Sequence, residues 1–188
     1  VQLVVGLGNP GPKYAANRHN VGFMLVDRLA AKLSAGPFRE KFSGLFVRLS
    51  SPDVVLLKPM TFMNLSGDSV QAAMTFFKVE LADVIVLHDE LDLPFADCRI
   101  KQGGGAAGHN GLKSIMQNCG GDGFPRLRIG IGRPRSGEVA GYVLSDFSAS
   151  ERAELPDVLD QAALGVEAIF SQGVQKAMNA FNTRPKKA

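Results

Sequence analysis

Residues 2–7 (QLVVGL) are apolar and rich in β-branched side chains, and they stop at once against Gly8-Asn9-Pro10-Gly11-Pro12. Two prolines and two glycines in five residues cannot continue as helix, so the run reads as a buried strand with a loop at its carboxyl end. Residues 20–33 then place Val21, Leu25, Leu29 and Leu33 on one helical face. The same exchange of period recurs along the chain. Residues 45–49 and 54–58 read as strands around Ser51-Pro52-Asp53. Ser66 is placed to cap a helix carrying Val70, Ala73, Met74 and Phe77, with Leu65 and Val70 spaced as a hydrophobic staple. Residues 84–88 (VIVLH) predict a central strand, and a strand near 97–102 runs into the glycine-rich stretch 103–108. A short helix follows that buries Leu112, Ile115 and Met116. Residues 126–131 (RLRIGI) alternate charged and apolar, the pattern of a half-buried strand. The tail, about 149–183, reads as helical: Ser148 and Glu151 fit a capping box, Pro156 can open a longer helix, and Gly173 separates a last one.

This alternation predicts a single α/β domain over residues 1–188, with a mixed, mostly parallel sheet sandwiched between helices. At 188 residues the chain can bury roughly 70% of its unfolded surface, so it needs no metal or disulfide staple. No apolar run approaches the ~18 residues of a membrane span. The start lacks the basic leader of a signal peptide, and the missing initiator Met implies a trimmed start. Cys98 and Cys119 lie far apart without CxxC spacing and read as free thiols in a reducing cytosol.

Ligands of such sheets collect at the carboxyl ends of strands, so the loops after residues 7, 58, 88 and 102 are where chemistry is expected. Two of them contain GxGxxG, at Gly6–Gly11 and Gly103–Gly108. The first does not fit a dinucleotide site, because Pro10 and Pro12 stand where the phosphate-binding helix must begin. The second runs directly into His109-Asn110 and reads as backbone that approaches a ligand closely. GxxxxGK[ST], HExxH and GxSxG are all absent, which removes the main support for a P-loop enzyme, a zincin or an α/β-hydrolase.

The three histidines all fall on or beside these loops. His88 ends an apolar strand and reads as structural. His19 and His109 sit on loops that this fold gathers to one rim. Asp89 is a natural partner for one of them, since a carboxylate fixes an imidazole's tautomer and stabilises its protonated form. It also reads as a helix cap or a solvated turn residue. A metal site from His88, Asp89, Glu90 and Asp92 is disfavoured, because successive strand residues point to opposite faces. Asn9, Asn64 and Asn110 recur on the same loops, where an amide can donate to and accept from a peptide backbone. Phe62 and Met63 would supply an apolar wall. Residues 99–135 hold seven bases against one acid, between flanks where acids dominate. That pattern suits a polyanion footprint, and also a set of unmixed solvated faces.

The segments VVGLGNPGPKY (4–14), RHNVG (18–22), KPMTFMNLSG (58–67), HDELDLP (88–94), GGGAAGHNGLKSI (103–115), RLRIGIGRP (126–134) and YVLSDF (142–147) together resemble bacterial-type peptidyl-tRNA hydrolases. They match in order and at shared spacing over nearly the whole chain. Ala96 and Ala107 stand where the family usually has Gly, and Asn17 where it often has Thr. The resemblance implies hydrolysis of the ester between a peptide and the 3′ ribose of tRNA, which recycles tRNA from stalled translation. It implies His19 as the base that activates water, Asp89 as the group holding it in its basic form, and Asn9 as the residue that distinguishes N-blocked substrate. Tyr14, Phe62, Asn64 and Asn110 would line the tRNA and peptide site, with Met63 and His109 beside them. Lys101, Lys113 and Arg128 would contact the tRNA backbone. It further implies a cytoplasmic monomer that uses no cofactor or metal and needs no protein partner. The rival reading from another class is a non-enzymatic RNA-binding module on the same fold. A nucleotide-dependent enzyme on the glycine loops is a third.

Overall fold

A computed structural model describes residues 1–182. Seven strands form one sheet: β1 (Gln2–Gly6), β2 (Arg39–Lys41), β3 (Gly44–Ser50), β4 (Asp53–Pro59), β5 (Val84–Glu90), β6 (Cys98–Gln102) and β7 (Pro125–Gly130). Their order is β2-β3-β4-β1-β5-β7-β6. The four central strands β4, β1, β5 and β7 run parallel, and antiparallel pairs close both edges. Six helices accompany them: α1 (Val21–Lys32), α2 (Ser66–Phe77), α3 (Asn110–Cys119), α4 (Val139–Val143), α5 (Ala149–Gln172) and α6 (Val174–Asn182). The mixed, mostly parallel α/β architecture is the one the alternation predicts.

Period-two alternation sorts the central strands into two cores. Val4, Ile85 and Leu87 pack with α1, α5 and α6, while Leu3, Val5, Val84 and Val86 pack with α2 and α3. Strands buried on both faces explain the unbroken apolar runs. The chain leaves β1 toward β4 and returns across it to β5, so the strand order switches direction beside β1. The crevice outside the carboxyl ends of β1 and β5 is thus the topological switch point.

Two glycines bring α1 onto that crevice. A Cβ on Gly22 would lie 2.4 Å from the Leu87 carbonyl oxygen and 2.6 Å from the Leu7 nitrogen, and one on Gly6 would lie 2.3 Å from the Gly22 carbonyl oxygen. Only bare backbone allows this approach. It sets the start of α1, two residues after His19, directly against the ends of β1 and β5.

Several local expectations are corrected. Ser66 is the first residue of α2 rather than its cap, and its hydroxyl donates to the Met63 carbonyl. Leu65 is exposed while Val70 is buried, so the expected staple does not cover both. The RLRIGI strand is buried on both faces: Arg126 is 1% exposed. Met116 is only half-buried. Pro156 lies inside α5 instead of opening it, at the cost of the bond its amide would give to the carbonyl four residues back. The helix begins earlier because the capping box at Ser148 and Glu151 is fully formed. Gly173 does separate α5 from α6, and the expected tail boundary at 183 lies outside the described residues. Strand β5 runs two residues past the expected end and carries Asp89 and Glu90. Neither cysteine is in a disulfide, and burial, aided by Asp68, pushes the Cys119 thiol up to about 11. Among the described residues no helix is long and apolar enough to cross a membrane.

Candidate active site

A cavity of about 570 Å³ opens at the switch point. Its centre is a carboxylate between two imidazoles. Asp89 leaves the end of β5 and is 4% exposed. Its Oδ2 lies 2.8 Å from His19 Nδ1, and its Oδ1 lies 2.8 Å from His109 Nε2. His19 occupies a single 3-10 turn, Arg18–Asn20, before α1. His109 is the N-cap residue of α3. Burial raises the Asp89 carboxyl, but the charges and hydrogen bonds of His109 and His19 outweigh it and hold the group well below the usual carboxylate range. Asp89 is therefore an acceptor near neutral pH. His19 must donate through Nδ1–H, and its Nε2 is left with a free lone pair.

Both halves of this arrangement are braced by hydrogen bonds to neighbouring segments. Arg18 is buried and its guanidinium bonds to Glu151 Oε1 at 2.8 Å, to the Ser145 hydroxyl and to the Tyr142 carbonyl. It also stacks over the Tyr142 ring, 4.2 Å from its centre. Asn20 and Asn9 clasp each other: Asn9 N–H donates to Asn20 Oδ1, and Asn20 Nδ2 donates to the Asn9 carbonyl, each at 2.9 Å. On the other side, Arg126 donates to the carbonyls of Gly104, Gly105 and Asp122 and so folds the glycine-rich loop over the sheet.

Asn9 is more specialised than its sequence suggests. The Met63 amide donates to its Oδ1 at 2.7 Å, which leaves the Nδ2 amino group as the end available to the cavity. Asn64 and Asn110 are exposed at the cavity's edge, Phe62 is 54% exposed on its rim, and Met63 is a buried wall. Lys101 and Arg128 line the side nearest β6 and β7, where Arg128 is 3.7 Å from Glu90. Two expected residues do not line the cavity. Tyr14 stands behind the rim, edge-on to Phe62 with ring centres 6.3 Å apart, and Lys113 is exposed one turn along α3.

His88, expected to be structural, is buried in the cavity lining. Its Nδ1–H donates to the Asp89 carbonyl at 2.8 Å, and burial, with His109 beside it, pushes the ring down to about 3. Its Nε2 is buried without a protein partner. Sequence reasoning missed Arg18, Asn20 and Arg126. The signal for the first two was their position on either side of His19.

The one cluster with metal-ligand chemistry among the described residues is His19, Asp89 and His109, whose ligating atoms lie within 4.8 Å of one another. The group of His88, Asp89, Glu90 and Asp92, disfavoured from the sequence, is not brought together in this way. The hydrogen bonds disfavour metal on the trio as well. His109 Nδ1 accepts from the amides of Gly111 and Leu112, so ligation through Nε2 would force the ring proton onto Nδ1 and break that cap. Neither glycine motif forms a dinucleotide cradle. A Cβ on Gly8 would meet the Phe23 ring at 2.7 Å, so that glycine serves packing, and the carbonyls of Gly104 and Gly105 are committed to Arg126.

A family model described as peptidyl-tRNA hydrolase matches residues 3–188. The peptidyl-tRNA hydrolase of Sorangium cellulosum is 59% identical over 189 residues, covering 98% of this chain and 85% of that protein. That of Geobacter sulfurreducens is 49% identical, covering 97% and 96%. The crystal structure of peptidyl-tRNA hydrolase from Acinetobacter baumannii superposes with a TM-score of 0.89 at 41% identity, covering 97% of this chain and 95% of that one. On a match that spans almost the whole chain in sequence and in fold, the chain belongs to the peptidyl-tRNA hydrolase family.

Proposed function

We propose that this chain hydrolyses the ester between a peptide and the 3′ ribose of tRNA by direct attack of water, with no covalent intermediate. The observation that carries the reading is the orientation of His19: Nδ1 is engaged by a buried carboxylate, and Nε2 is a free base on a cavity wide enough for an acyl chain. Water gives its proton to His19 Nε2 as its oxygen attacks the ester carbonyl. Asp89 stabilises the imidazolium that results. The carbonyl oxygen, now negative, takes a hydrogen bond from Asn9 Nδ2. When the tetrahedral adduct collapses, the C–O bond to the ribose breaks and the imidazolium returns the proton to the departing 3′ oxygen. Free peptide and tRNA leave.

The same amide supports selection of N-blocked substrate. Asn9 Nδ2 donates, and so suits a carbonyl oxygen rather than a free ammonium, which can only donate as well. Asn64 and Asn110 offer both polarities to a peptide backbone along the edge, over the apolar surface of Met63 and Phe62. Lys101 and Arg128 give the open side a positive lining for the tRNA backbone, with Lys113 and Tyr14 reaching it only beyond the rim. Phosphate contacts carry affinity without reading sequence, as a substrate class of many tRNAs requires. The enzyme acts on this reading as a cytoplasmic monomer without cofactor. Incubation with N-acetyl-aminoacyl-tRNA and with its unblocked counterpart tests it: rapid deacylation of the first and slow deacylation of the second are expected, and equal inertness toward both rejects it.

A further inference from the structure

We infer that His109 is a positioning residue whose tautomer is locked by helix α3, and that through Asp89 it sets the basicity of His19. The inference rests on the reading of His19 as the base and adds a role for the second imidazole. Three hydrogen bonds define it. The Gly111 and Leu112 amides donate to His109 Nδ1 at 3.1 and 3.3 Å, which makes that nitrogen an acceptor. A neutral imidazole with an accepting Nδ1 carries its proton on Nε2. That proton points at Asp89 Oδ1, 2.8 Å away. The ring thus joins two orphan amides of a helix start to the carboxylate that holds His19, and it can do so in only one tautomer.

The consequence lies at His19. Asp89 offers one oxygen to each imidazole. A donor on Oδ1 withdraws negative charge that Oδ2 would otherwise present to His19 Nδ1–H. His109 therefore moderates the pull of Asp89 on the base and keeps His19 from holding a proton too tightly. The charged and titratable groups around the ring are Asp89 and His88 from β5, His19 from the turn before α1, and Glu90, Asp92, Lys101, Arg126, Arg128 and Arg133 around the shared cavity. Of these, Asp89 alone is hydrogen-bonded to the imidazole. The ring centres of His19 and His88 lie 5.0 and 5.2 Å away.

Two substitutions separate the cap from the donor. In His109→Ser the hydroxyl can cap α3, since Ser is among the best N-cap residues, but it is too short to reach Asp89. In His109→Gln the long amide can still donate to Asp89, while its capping is poor. His109→Ser is expected to melt near the parent temperature and to move the acidic limb of the kcat/KM profile upward by about half to one pH unit, with kcat reduced about tenfold and KM little changed. His109→Gln is expected to melt lower and to leave the limb near its parent position. Imidazole ¹⁵N spectra of the unsubstituted protein at neutral pH are expected to show Nδ1 of His109 unprotonated and Nε2 protonated. A protonated Nδ1, or an unmoved acidic limb in His109→Ser, overturns the inference. The spectrum is read without substrate, so it stands or falls separately from the assignment of the reaction.

Discussion

Two loops close on Asp89, and they are built in opposite ways. The first, residues 7–20, is tied to three separate parts of the molecule: Asn9 to Asn20 and Met63, Asn17 to Asp146, and Arg18 to Ser145 and Glu151. The second, residues 103–109, has left-handed backbone at Gly103, Gly104, Ala107 and Gly108 and exposes Gly105, Ala107 and Gly108. Its side-chain anchors are Arg126 beneath and the His109 cap at its end. A segment with few buried contacts and exposed backbone opens at lower free energy than one bonded on several sides. His19 thus sits where displacement is expensive, and the glycine-rich side of the cavity is the side that yields.

The largest break of this contrast is removal of the proposed base. His19→Ala is expected to lower single-turnover deacylation by ~10²–10⁴-fold, while tRNA affinity measured by filter binding changes little. Retention of rate in this variant removes His19 from the chemistry. Asp89→Asn should fall in the same direction with the fold preserved, because the amide has one accepting oxygen for two imidazole N–H groups and no charge to stabilise an imidazolium.

The next pair sharpens the contrast by loosening one loop at a time. Glu151→Ala leaves the buried Arg18 guanidinium without its carboxylate and removes half of the α5 capping box. A loss of about 2–4 kcal/mol in stability is expected, and kcat should fall with KM nearly constant, because the turn that aims His19 is released. Arg126→Lys replaces a fork that grips three carbonyls with a single ammonium. There KM should rise more than kcat falls, and amide exchange at 103–108 should accelerate. Were the two variants to show the same kinetic split, the division of labour between the loops would be wrong.

These braces also mark where the sequence stops being readable. Apolar runs ended by glycine and proline are a local signal, so the buried strands, the crevice and the loops carrying His19 and His109 are legible from it, whereas β2, three exposed residues, is not. Arg18 and Glu151 are 133 residues apart, and nothing local joins them. Arg126 reads as one more charge on an alternating strand. It is buried because a glycine loop 21 and 22 residues upstream turns its carbonyls onto it, a tertiary event that period-two patterning does not encode. Ser66 and Pro156 mislead for a related reason: each has the chemistry of a helix start, and in each case a neighbouring interaction sets the start elsewhere.

Beneath both loops, His88 ties the core to pH. Its native ring takes a proton only near pH 3, against about 6.5 in an unfolded chain. The unfolded state therefore binds the extra proton first, and stability is full above about pH 6.5 and declines as pH falls toward 3. Asp89 adds nothing to this decline above the ordinary carboxylate range, since its native value is shifted downward. From pH 6.5 to 5 the loss should be about 2 kcal/mol, and His88→Asn should flatten it in urea unfolding. An equally steep decline in that variant assigns the acid sensitivity to another group.

The smallest effect expected is at Ala107, the one non-glycine with positive φ in the glycine loop, at +47°. A Cβ in the left-handed region costs roughly 1 kcal/mol, which glycine avoids, although glycine also gains entropy in the unfolded chain. The exposed side chain makes no packing contribution that would offset the strain. Ala107→Gly is thus expected to raise stability by about 0.5 kcal/mol, seen as a small shift in melting temperature. Because the added freedom falls on the yielding loop alone, the pH profile governed by His19 should stay where it is. A shifted profile in Ala107→Gly would mean that the glycine loop, and not only its final histidine, bears on the base.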